Sequence, residues 1–242
     1  MELIEIRDLW TSFDGVPVLR GVNLTVEKGM TVVILGTSGA GKSVLLKSII
    51  GLIRPDAGSI RIDGKEIIGL DARDLQMIRR RTGYLFQGAA LYDSMSVRGN
   101  LEFALRHREA ADETAMNTRV VEQLHLVGLE DAVDKMPSQL SGGMRKRIGL
   151  ARALITRPEV MLYDEPTTGL DPVTGRDISR LIQSLQQKDA MTSIAVTHDI
   201  ACARIIADRV AVLNNGAICF EGTLDEAEHA DGEFVKQFFA TS

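Results

Sequence analysis

The chain has 242 residues, 45% of them hydrophobic and 25% charged, with a formal net charge of −5 at pH 7. That composition suits a globular protein with a substantial buried core, and the acidic balance argues against bulk binding of nucleic acid. Cys202 and Cys219 match no metal-ligand spacing and build no disulfide framework, and no stretch approaches the run of about 18 apolar residues that a membrane span requires.

In chain order, "MELIEIRDLW" alternates apolar and polar residues and is expected to be a strand, not a leader peptide. "VNLTVEKG", "MTVVIL", "GSIRIDG" and "TGYLFQ" are further strand candidates, separated by glycine, proline and aspartate turns. Between "TVVIL" and the helical pattern "SVLLKSIIGL" lies Gly36-Thr37-Ser38-Gly39-Ala40-Gly41-Lys42-Ser43, which fits G-x-x-x-x-G-K-[ST]. In that strand–loop–helix context the backbone N–H groups can wrap a phosphate while the helix dipole faces its charge. Lys42 is then placed to reach the β/γ-phosphates of a nucleotide and Ser43 to ligand Mg²⁺.

From about residue 96 to 154 the pattern turns alanine- and charge-rich, and "NLEFALRHREAADETAMNTRVVEQLHLVGL" has helical periodicity. Strands return at "EVMLYDEP" and "MTSIAVTHD", each followed by a helical pattern, which is the alternation of a parallel α/β sheet. "DRVAVLNNGAICFEG" is expected to be a hairpin turning at Asn215-Gly216, and "EFVKQFFATS" a short amphipathic helix that packs on its own domain or clasps a partner. The strand "VMLY" ends in adjacent carboxylates, Asp164 and Glu165. Alternation along a strand would send them to opposite faces, Asp164 toward a Mg²⁺ shell and Glu165 toward an attacking water.

"QLSGGMRKR" precedes a further helix and offers a hydroxyl and two unhindered backbone N–H groups at a positive dipole end. The block "LSGGMRKRIGLARALITRPEVMLYDEPTTGLDP" resembles the signature-to-D-loop region of ABC ATPases, and the likeness runs over essentially the whole chain. The resemblance implies an α/β, RecA-like P-loop NTPase core with an N-terminal antiparallel β subdomain and an inserted α-helical subdomain. It divides a single cassette, residues 1–242, into core and β subdomain (1–87 and 155–242) and a Q-loop and helical signature region (88–154).

Residue by residue, the resemblance assigns Phe13 to stacking on adenine, Gln87 to sensing Mg²⁺ and the attacking water, and Ser141, Gly142 and Gly143 to the γ-phosphate of ATP held by a second protomer. Met144 stands where the family more often has glutamine, without touching the phosphate-contacting atoms. Asp171 matches the D-loop aspartate and, followed by Pro172, is also a good helix N-cap. His198 matches the switch histidine on the γ-phosphate. Lys42, Gln87, Glu165 and His198 are thereby the catalytic set, Ser43, Gln87 and Asp164 the metal set, and ATP with Mg²⁺ the cofactors.

The resemblance further implies a homodimer closed by ATP, integral-membrane permease partners, and a place on the inner face of the cell membrane, reached through the permease. "LFQGAALYDSMSVRGNLEFAL" and "GGMRKR" are most similar to ATPases of MCE-associated, Mla-type lipid transport systems, which adds an MCE-domain protein as a partner. Other import or export systems, or a non-transport ABC regulator, are the alternatives. With one cassette, no heptad run and no cysteine cluster, a nucleic-acid partner is not expected.

Overall fold

The computed structural model describes residues 1–106 and 112–240; residues 107–111, inside the stretch expected to be helical, and 241–242 of the tail lie outside the described residues. Two long strands open the chain, β1 (Glu2–Phe13) and β2 (Val16–Glu27), joined by Asp14-Gly15 with both residues at positive φ, as a two-residue hairpin turn requires. Then follow β3 (Thr31–Leu35), α1 (Lys42–Ile49), β4 (Ala57–Ile62), β5 (Lys65–Glu66), α2 (Ala72–Arg80) and β6 (Thr82–Leu85). Helices α3 (Val97–Arg106), α4 (Glu113–Leu126) and α5 (Gly142–Leu154) come next, with two short 3-10 turns between α4 and α5. The chain finishes with β7 (Val160–Asp164), α6 (Pro172–Asp189), β8 (Thr192–Thr197), α7 (Ile200–Ile206), β9 (Arg209–Asn214), β10 (Ala217–Gly222), α8 (Leu224–Glu228) and α9 (Glu233–Ala240).

Two sheets result. An antiparallel one runs β2-β1-β4-β5, and a larger one runs β10-β9-β3-β8-β7-β6, parallel except for β10. Every residue of β3, β7 and β8 is buried, as strands covered on both faces must be. The β9–β10 hairpin turns at Asn215 and Gly216, both at positive φ.

Apolar packing divides into three clusters. One fills the space between the two sheets around Ile4, Leu19, Leu45 and Ile60. A second lies under α6 and α7 and takes in Val235 and Phe238 of α9, with Phe234 and Phe239 packed on it, so the tail helix covers its own chain. The third is built by α3, α4 and α5 around Leu101, Val120, Leu124 and Ile148. Helix α5 serves two of them: Ile148 and Ala151 face the helical cluster, while Leu150 and Leu154 face the second. Among the described residues no helix is long and apolar enough to cross a membrane.

Candidate active site

The loops leaving the carboxyl ends of β3, β6, β7 and β8 meet at one edge of the parallel sheet, where open α/β sheets place ligands. The loop after β3 is shaped by its glycines. A Cβ on Gly36 would lie 2.4 Å from the carbonyl oxygen of Leu213, and one on Gly41 would lie 2.9 Å from Leu19 Cδ2. Gly41 also has φ +103 and forms the N-cap of α1 with no side-chain cap, leaving the helix N-terminus bare toward the loop.

Lys42 is 6% exposed and curls over this loop, donating to Gly36 O at 2.8 Å and Thr37 O at 3.1 Å. Its ammonium also lies 3.2 Å from Glu165 Oε1. Ser43 donates from Oγ to Asp164 Oδ1 at 2.7 Å, closing the distance between the phosphate loop and the end of β7. A hydroxyl beside a carboxylate is the hard-oxygen pair that magnesium prefers, and the rest of its shell would come from water and phosphate. Among the described residues no group of three or more His, Cys, Asp or Glu forms a metal cage.

The two adjacent carboxylates diverge, though not by strand alternation. Strand β7 ends at Asp164, and Glu165 turns into the left-handed region at φ 50 while its N–H donates to Val196 O at 2.9 Å. The turn carries the Glu165 carboxylate across the end of β8. There Thr168 Oγ1 donates to its Oε2 at 2.9 Å, Thr197 Oγ1 at 3.2 Å and His198 Nδ1 at 3.0 Å. Burial works against the charge on Glu165. The hydrogen bond from His198, the Lys42 ammonium and the Thr168 hydroxyl outweigh it and hold the carboxyl below the ordinary range. Glu165 is therefore an anion near neutral pH, fixed on one side and aimed by its partners.

The fold thus gathers Lys42, Ser43, Asp164, Glu165 and His198 into one bonded cluster. Gln87 follows β6 with an exposed side chain. Phe13 ends β1, 46% exposed, beside the hairpin whose second strand brings Val18 against Gly41. Ser141, Gly142 and Gly143 do not join the cluster. Ser141 caps α5 by accepting from Met144 N at 3.2 Å, and Gly143 packs so closely on Thr174 that a Cβ would lie 2.6 Å from its Cγ2. Thr174 in turn donates to Asp171 Oδ2 at 2.6 Å, and Asp171 caps α6. The Ser-Gly-Gly turn and Asp171 therefore share a second surface.

Two residues absent from the sequence-based set sit inside the cluster. Tyr84 donates its hydroxyl to Asp164 Oδ2 at 3.1 Å, with burial and the Asp164 charge pushing the phenol pKa upward. Lys146 of α5, 5% exposed, donates to Glu165 O at 2.8 Å and also to Gln87 O. Burial pulls its ammonium down to about 8 against the attraction of Asp164 and Glu165. Lys146 falls inside GGMRKR without a role that the residue pattern assigns, and Tyr84 reaches Asp164 only because β6 pairs with β7 across some eighty residues of chain.

Comparison with known proteins agrees with this construction. The ABC transporter family matches residues 19–168. A probable ribonucleotide transport ATP-binding protein, mkl, of Mycobacterium bovis is 43% identical over 97% of this chain, which spans 66% of that relative's length. The methionine import ATP-binding protein MetN of Mesorhizobium japonicum is 41% identical over 91% of the chain and 60% of its own length. Protein TRIGALACTOSYLDIACYLGLYCEROL 3, chloroplastic, of Arabidopsis thaliana is 38% identical over 98% of the chain and 73% of its own. Among solved structures, a dimeric post-hydrolysis state of an ATP-binding cassette bound to ADP and Pi superposes with a TM-score of 0.85 at 33% identity. It covers 92% of this chain and 99% of that one. A phosphate loop facing an Asp-Glu strand end, in a cassette of this sequence and shape, makes the chain a member of the ABC transporter family.

Proposed function

We propose that the chain is the ATP-binding and ATP-hydrolysing subunit of a lipid transporter of the MCE-associated, Mla type. The observation that carries the hydrolytic part is the environment of Glu165: a buried, ionised carboxylate held by Lys42, Thr168, Thr197 and His198 beside the Ser43–Asp164 pair. Phosphoryl transfer needs little covalent help from a protein; positioning and charge stabilisation do most of the work.

ATP lies with its phosphates in the Gly36–Ser43 loop and its adenine against Phe13. Lys42 exchanges its carbonyl partners for the β/γ-phosphate oxygens. Ser43 and Asp164, with Gln87 completing the set, would hold the magnesium, which would neutralise phosphate charge. Glu165 accepts a hydrogen bond from the attacking water and aims it, and His198 contacts the γ-phosphate. The Ser141–Gly143 turn and Asp171 belong to the opposite face of a homodimer. There a partner's nucleotide supplies the phosphate that this turn lacks within its own chain. A ligand shifts such an equilibrium only by its differential affinity for the closed pair, and the γ-phosphate provides it.

The lipid cargo is supported by the segment after Gln87, residues 88–105, which resembles the ATPases of MCE-associated systems, and by the similarity to a plant protein named for a glycolipid. A second reading, amino-acid import on the same motor, is favoured by the likeness to MetN. In either case the subunit reaches the inner face of the membrane by docking on a permease.

The experiment is capture of tagged Glu165→Gln protein, held with ATP, from detergent-solubilised membranes of the native host. Partners are identified by mass spectrometry and bound lipid by extraction. The expected result is a multi-span permease together with an MCE-domain protein and phospholipid. A permease accompanied by a different binding protein, without lipid, would overturn the cargo; no membrane partner would overturn the transporter assignment.

A further inference from the structure

Helix α5 presents Lys146, Gly149 and Arg152 at spacings of three, which places them along one face. That face is pressed onto the segment following β6. A Cβ on Gly149 would lie 2.9 Å from Ala89 Cβ and 3.1 Å from Leu85 Cδ1, so helix and segment are already in contact. Arg152 donates to Ala90 O at 2.7 Å and Ala89 O at 2.9 Å. Both alanines occupy the left-handed region, at φ 61 and 50, a conformation that strains a residue with a side chain and persists only where its surroundings hold it.

Lys146 extends this contact to the catalytic strand end. Its buried ammonium donates to the main-chain oxygens of Gln87 and Glu165, two residues 78 positions apart, the second of which is itself at φ 50. A buried cation hydrogen-bonded to carbonyls gains little net stability over an apolar side chain of similar volume, because burial offsets the attraction of nearby charges. What it supplies is geometry. The Glu165 carbonyl is held by α5 and its N–H by β8, and this peptide orientation sets where the carboxylate begins.

We propose that Lys146 is a positioning residue for hydrolysis, acting through the main chain of Glu165 and locking it to Gln87 and to the helix that starts at the Ser141–Gly143 turn. The inference rests on the ATPase reading above. Any rotation of α5 that follows engagement of its N-terminus is passed by Lys146 to the hydrolytic carboxylate, and by Lys146 and Arg152 together to the segment after β6.

The test is a double-mutant cycle on single-turnover ATP hydrolysis with wild type, Lys146→Met, Glu165→Gln and the double variant, with nucleotide Kd and thermal unfolding measured on each. Lys146→Met is expected to lower turnover roughly 10- to 100-fold, the size of effect that a misplaced catalytic group produces, with Kd within about threefold of wild type. In the Glu165→Gln background the same substitution is expected to cost less than about threefold, because groups that act as a unit are not additive. An equal loss in both backgrounds, or Lys146→Met turnover within about twofold of wild type, would overturn the inference. If the methionine variant does not fold, the cycle is run with Lys146→Gln, where the same absence of coupling is the overturning result. Wild-type protein without ATPase activity would instead overturn the reading on which the inference rests.

Discussion

The sheet edge around Glu165 and the N-terminus of α5 both offer phosphate-binding chemistry, and they are finished to different degrees. At the sheet edge Lys42, Ser43, Asp164, Glu165 and His198 already satisfy one another, and Gly36 and Gly41 of the loop are forced by the Leu213 carbonyl and the Leu19 side chain. At the α5 start, Ser141 and Gly142 are exposed, and the hydroxyl of Ser141 accepts from its own helix. The side chains of the first region are bonded to one another within one chain. On the proposed reading the second would take its ligand from outside. One chain would then carry two half-sites, which is the physical reason such a cassette would work as a pair.

The sharpest way to break this comparison is at the sheet edge. Glu165→Gln is expected to lower turnover on the order of 100-fold or more, the scale of a lost general base, while nucleotide Kd stays near wild type. Lys42→Ala should lose nucleotide binding itself. Phosphate release and equilibrium binding of a labelled ATP analogue measure the two, and normal turnover in Glu165→Gln would remove that carboxylate from the reaction. The next effect in size is steric. Gly36→Ala drives a methyl to 2.4 Å from Leu213 O. It is expected to destabilise by about 2 kcal/mol, within the range for overpacked sites, as well as to weaken ATP binding; thermal unfolding that matches wild type would show that the loop has slack.

Ser141→Ala is the smallest change and the one that separates the two regions. Loss of the α5 cap is expected to cost about 1 kcal/mol, with ATP affinity of the isolated chain unchanged. ATP-driven dimerisation of a Glu165→Gln background, followed by size-exclusion chromatography with light scattering, should fall markedly. Dimerisation at the wild-type level would show that the Ser-Gly-Gly turn does not face a partner's nucleotide.

Much of the sheet edge is legible from the amino acids in order. G-x-x-x-x-G-K-S between an apolar strand and a helix constrains backbone and chemistry together, and the apolar runs ending in Asp164-Glu165 and Thr197-His198 place polar groups at strand ends. The reason is local: a buried parallel strand has a continuous apolar signature, and a polar side chain that interrupts it marks the strand end at the sheet edge. Strand alternation, however, misjudges how the two carboxylates part, because Glu165 leaves the strand and adopts a left-handed backbone held by Val196.

Tyr84 and Lys146 are invisible for a different reason. Their partners are a carboxylate and two main-chain oxygens far away in sequence, and a carbonyl leaves no mark on residue type. The double glycine of the α5 start is readable as a helix entry, but its close packing on Thr174, itself bound to Asp171, depends on how α5 and α6 meet.

The sequence by itself determined the phosphate loop, the acid-ended strand, the Asp171 helix cap and the family likeness, since each is written in neighbouring residues with fixed spacing. Only the tertiary structure decided that α5 touches the Glu165 and Gln87 backbones and that the tail helix covers its own core. Only it sets the Ser-Gly-Gly turn apart from the cluster that holds Glu165. Those outcomes depend on which surfaces pack together across long stretches of chain, and no local pattern encodes the register of such contacts.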